Sequence, residues 1–140
     1  EGTKTIKNTG LNDEGKMTFE RSTVDASFTK GDTATISWEC NKTVEMISGQ
    51  ETFIALDDEY LVSGGVEGTN FEGLAYSIKI TVPLHYKKCS RYPVSGSIEI
   101  EVDERATAIV DYGSGECDDT ASLTIDGETT EIKLGETSLL

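Results

Sequence analysis

The stretch TATISWECNKTVEM, Thr33 to Met46, alternates strictly in polarity. Ala34, Ile36, Trp38, Cys40 and Val44 point one way, while Thr35, Ser37, Glu39, Asn41 and Thr43 point the other. Successive side chains on a β-strand face opposite sides, so this pattern is an extended strand with one dry and one wet face. GLAYSIKITV repeats it, setting Leu74, Tyr76, Ile78, Ile80 and Val82 against Ala75, Ser77, Lys79 and Thr81. SGSIEIEV sets Ile98, Ile100 and Val102 against Glu99 and Glu101. Stripes of helical period are missing, and a half-buried strand is the mark of antiparallel sheet.

Turn signals separate these runs at short intervals. KGDT (Lys30 to Thr33) and VDER (Val102 to Arg105) each divide two strands. IDGE (Ile125 to Glu128) carries the Asp-Gly pair that favours a two-residue hairpin. The spacing predicts eight or nine strands, at about 3–8, 17–28, 33–46, 59–68, 73–84, 95–102, 105–112, 119–126 and 129–134, the last four as a meander. The fold class is all-β, an antiparallel β-sandwich of eight or nine strands, with an open barrel as the alternative. Residues 1–140 read as one domain, and Ser48 to Asp58 is the one long irregular connection.

Charge narrows the partners. Twenty-six acids against 12 bases give a formal net charge of −14. That field repels phosphates and anionic headgroups, and the lysines and arginines form no basic stripe, which argues against nucleic acid. No apolar run approaches the roughly 18 residues that span a bilayer, so no direct membrane insertion is expected. No secretion leader is visible, and the opening EGTKTIKNTG reads as the middle of a longer chain: a leader has been removed or the chain is a fragment.

The three cysteines, at 40, 89 and 117, lack C-x-x-C spacing, so zinc is not indicated. Cys40 shares the apolar face with Trp38 and reads as a free buried thiol. Cys89 and Cys117 lie in turn-rich segments at the ends of a strand pair. A disulfide between them closes a loop of 28 steps, worth about 3–4 kcal/mol in the chain-entropy model, and implies an oxidising compartment. The lone histidine, His85, sits beside Lys87 and Lys88 at an expected strand end, where surface exposure is the default. No nucleophile elbow, metalloprotease motif or phosphate loop occurs, and no catalytic residue is indicated.

DYGSGECDD, Asp111 to Asp119, crowds four acids and two glycines into nine positions. Asp111, Glu116, Asp118 and Asp119 offer hard oxygen ligands, making calcium the one cofactor to weigh, although the spacing is not that of an EF-hand. Gly113 and Gly115 equally suit a plain tight turn held by Cys117. Asp57 to Glu59 could approach the same region. Tyr60, Tyr86, Tyr92, Tyr112, Phe53 and Phe71 fall near strand ends or in loops. They form no regular array for stacking a glycan, and such rings more often cap a core.

These residues support a family comparison. Asp57, Asp58, Tyr60, Leu61 and Gly64 in DDEYLVSG, then YSIKITVPL, a cysteine, Val94 to Gly96, and DYGSGECD from Asp111 to Asp118 resemble the C-terminal half of secreted lipoproteins of the Bacteroidota. The likeness covers about residues 2 to 134 and rests mainly on the cysteine with DYG. It implies export and an extracellular or outer-membrane surface location, and it carries over no catalytic residue. The chain departs from the pattern at Cys40 and in lacking a lipid-bearing N-terminal cysteine. Asp32-Thr33-Ala34 and Asp119-Thr120-Ala121 resemble the loose O-glycosylation pattern of these bacteria, at Thr33 and Thr120.

A sheet cut between strands leaves unpaired backbone edges, which another chain can meet by strand addition. The arm EGTKTIKN and the tail Ser138 to Leu140 are candidate donors. The leading expectation is a non-enzymatic exported structural or adhesive protein that works through protein contacts, self-association or filament assembly included. The alternative is a glycan- or calcium-binding module of an outer-membrane uptake system.

Overall fold

The structure, a computed structural model, describes residues 1–32, 34–51 and 58–135. Nine strands follow one another: β1 (Thr3–Leu11), β2 (Met17–Lys30), β3 (Ala34–Ser48), β4 (Glu59–Thr69), β5 (Ala75–Lys87), β6 (Ser95–Val102), β7 (Ala108–Ser114), β8 (Thr120–Ile125) and β9 (Glu128–Lys133). No helix occurs among the described residues. The protein is all-β and antiparallel, as the alternation requires. The meander expected of the last four strands extends to all nine, which hydrogen-bond as one sheet in the order β1 to β9.

Each strand answers to its sequence. The β8–β9 hairpin turns on Asp126 and Gly127, with φ of 52° and 80°, the left-handed pair that a two-residue turn needs. VDER ends β6 as expected, but the turn runs on, so β7 starts at Ala108 rather than 105. β5 continues to Lys87, which moves His85 inside the strand. Val82, expected on the dry face, is 52% exposed. The β5–β6 register shifts between Ile80 and Val82 and again before His85, turning Val82 outward while Leu84 is buried. Most of the Ser48 to Asp58 connection lies outside the described residues.

Register shifts interrupt every ladder from β1–β2 to β6–β7. Bulges of this kind bend a strand and strengthen its twist, and the sheet curls accordingly. Ile36 on β3 and Ile125 on β8 are five strands apart, roughly 24 Å on a flat sheet, yet both line one cavity. The two halves of the inner face thus oppose each other as sandwich layers do, while the sheet remains open and does not close into a barrel. The core gathers in the C-terminal half, around Leu84, Ile98, Ile100, Val110, Ala121 and Leu134. Gly96 makes one close crossing possible. Its φ is 102°, and a Cβ there would collide with the Pro83 carbonyl on the neighbouring strand.

Candidate functional site

Three places bring chemistry-bearing side chains together: the acidic loop, the His85 pair and the inner face of the N-terminal strands.

The acidic loop is tied by its own backbone. Cys117 is disulfide-bonded to Cys89, with Cα atoms 5.8 Å apart. Around this link Gly115 N donates to Val94 O at 2.8 Å, and Lys87 Nζ to Gly115 O at 3.4 Å. Asp111 Oδ1 accepts from Gly113 N at 2.8 Å, and Asp118 Oδ1 accepts from Thr120 N at 3.1 Å and Thr120 Oγ1 at 3.2 Å. Asp119 lies 3.9 Å from Lys133 Nζ. The Asp111 and Asp118 carboxylates cap turns, the job Asp performs where a chain reverses. Asp111, Glu116 and Asp118 line one shallow cleft of about 240 Å³ with Glu131, whereas Asp119 turns away to Lys133. Among the described residues no group of three or more His, Cys, Asp or Glu converges closely enough to hold a metal ion. Asp57 lies outside the described residues, as do Phe53 and Thr33. Thr120 is half-buried, with its hydroxyl on Asp118.

His85 is not the exposed histidine expected of a strand end. Its side chain is 20% exposed, and Nε2 lies 2.7 Å from Glu59 Oε2 across the β4–β5 ladder. Tyr86, Tyr92 and Tyr112 pack against the core, as ring caps do. Burial pushes the Tyr86 and Tyr112 hydroxyls above their ordinary pKa, and the Arg21 charge partly offsets this at Tyr86. Tyr60 is raised by burial and by Asp58, whose Oδ2 accepts its hydroxyl at 3.3 Å. Phe71 instead meets Phe28 edge to face, centroids 6.4 Å apart.

The inner face of β2 to β6 is apolar in successive rows. Cys40, Val66, Ile78 and Ile100 are register partners in one, and Ala26, Trp38, Gly68, Tyr76 and Val102 in the next. Among the described residues little covers the N-terminal part of this face, which forms the floor of an open groove of about 870 Å³. Cys40 is free, as expected, but only half-buried, because it lines this groove rather than a closed core. Ile36 and Tyr76 also border a second cavity of about 450 Å³ that runs on to Phe71, Ala108 and Ile125. Among the described residues, Lys4, Arg21 and Lys42 line the groove with one acid, Glu1. The opposite face is acidic, with Glu39 paired to Glu67 and Glu101 across Ser77 from it.

No family model, curated protein or solved structure matches the chain. Sequence reasoning passed over Arg21 and Lys42. The signal lay in the alternation itself: Lys42 falls on the apolar phase between Cys40 and Val44, and its register partner Arg21 follows Phe19 on the same phase of β2.

Proposed function

We propose that this chain is a non-enzymatic, exported structural or adhesive protein of the cell surface or extracellular space, which assembles by β-strand addition at its sheet edges. The observation that carries the reading is the pair of unlike open edges. β1 is exposed along all nine of its residues, and among the described strands it hydrogen-bonds only to β2, while β9 forms the other edge of the sheet and pairs only with β8. β1 carries Lys4 and Lys7 and no acid, whereas β9 carries Glu128 and Glu131 against Lys133. Lysines on an edge repel a second copy of that edge, the usual guard against self-pairing. They attract an acidic one. A β1 edge therefore favours the β9 edge of a neighbouring copy, a heterologous head-to-tail contact that propagates without closing. The arm EGTKTIKN serves as an acceptor edge in this arrangement, being already laid down as β1. The Cys89–Cys117 disulfide supports an oxidising, extracytoplasmic address, and the resemblance to Bacteroidota surface lipoproteins points the same way.

Size-exclusion chromatography with negative-stain electron microscopy tests the reading on protein at rising concentration. Linear particles are expected, lost in Lys4→Glu/Lys7→Glu and recovered when that variant is mixed with Glu128→Lys/Glu131→Lys. A chain that stays monomeric throughout overturns it.

A further inference from the structure

We propose that the inner-face groove binds a free long-chain carboxylate, with the anionic head at Arg21 and Lys42 and the apolar chain laid along the strand floor toward Phe71. Charge is the first argument. In a protein with 26 acids and 12 bases, the described residues that line this groove gather three cations against one acid. Among the described residues the ion pairs use Lys79, His85, Arg105 and Lys133, and no carboxylate pairs with Arg21 or Lys42. Lys42 is half-buried beside an apolar floor, where a charge without a counter-ion is costly, so an incoming anion gains most at this point.

Shape is the second argument. From Lys42 to Ile36 is six residues of extended strand, roughly 20 Å at the rise of a β-strand. Over that span the floor presents Cys40, Trp38 and Ile36, with Val66 and Ile78 beside them. The second cavity continues the apolar surface past Ile36 and Tyr76. A groove that is charged at one end, greasy along its length and open to solvent matches a chain-bearing acid. A second copy of this protein is a poorer occupant, because its own inner face brings the same cations to the contact.

Trp38, the only tryptophan, and Cys40, the only cysteine outside the disulfide, both line the groove and report on it. Titration with oleate below its micellar range is expected to shift the Trp38 emission to the blue, saturably, and to slow alkylation of Cys40 in the unmodified protein. Oleyl alcohol, with the same chain and no charge, is expected to bind about tenfold more weakly, and Arg21→Glu/Lys42→Glu to lose about the same factor for oleate. The alkylation measurement needs no variant, so it stands even where the double substitution unfolds. The absence of both a Trp38 shift and Cys40 protection with oleate overturns the proposal. So does equal binding of oleate and oleyl alcohol, or a response to phosphatidylglycerol vesicles with none to oleate.

Discussion

Pro83 and Gly96 face each other across the β5–β6 ladder so closely that the second has no room for a side chain. The φ of 102° at Gly96 adds a backbone cost for any other residue. Gly96→Ala is therefore expected to destabilise the protein by about 2 kcal/mol or more, read as a lower denaturant midpoint at unchanged slope. A midpoint within error of the parent protein would show that the crossing relaxes freely.

The Cys89–Cys117 link should be the largest single covalent contribution to stability. Its loop spans 28 residues, and the double variant Cys89→Ser/Cys117→Ser is expected to lose about 3.5 kcal/mol by the chain-entropy relation. Parallel denaturation of the oxidised and reduced parent checks the value without any substitution. Equal stability of the two forms would contradict it.

Stability should be uneven along the sheet. Ile100 is 3% exposed at the centre of the C-terminal core, whereas Ile6 is 58% exposed on β1. Ile100→Ala is expected to cost about 3 kcal/mol and Ile6→Ala less than about 0.5 kcal/mol. Hydrogen exchange should agree, with β6 and β7 amides protected longest and β1 amides exchanging first. A uniform protection pattern would refute this division.

Alkali should weaken the fold. Tyr60, Tyr76, Tyr86 and Tyr112 all have hydroxyls raised above the ordinary value, in each case chiefly by burial. A raised folded value means that the unfolded chain loses these protons first. The contribution is complete below about pH 10, where tyrosine titrates in an open chain, and falls away as pH rises through the folded values. Thermal melts from about pH 8 to 11, with tyrosinate absorbance followed in parallel, should show the melting temperature drop above about pH 10. A flat melting temperature across that range would count against it.

Strand identity was readable almost throughout, because period-two alternation and turn residues are local signals. IDGE, KGDT and VDER all mark real strand ends, and Asp126 and Gly127 adopt the conformation their pairing predicts. Curvature was not readable. Alternation shows which face a residue takes, but it does not show that Ile36 and Ile125 line one cavity. Bulges decide that, and they depend on contacts between strands rather than on either strand alone, as Val82 illustrates. The acidic loop is conspicuous by composition, yet two of its four acids, Asp111 and Asp118, cap turns and Asp119 pairs with Lys133. The cations Arg21 and Lys42, which pair with no carboxylate among the described residues, stand out only once registry places them side by side.

The unbroken order from β1 to β9 also bears on how the chain folds. Each strand's partner is the segment just before or just after it, so no strand waits for a distant one and closure of long loops is avoided. Hairpins can add one at a time to a growing sheet. A chain that folds from its first strand onward zips in sequence, each new strand laid on the last, with the Cys89–Cys117 bond joining the segments that flank β6 and β7.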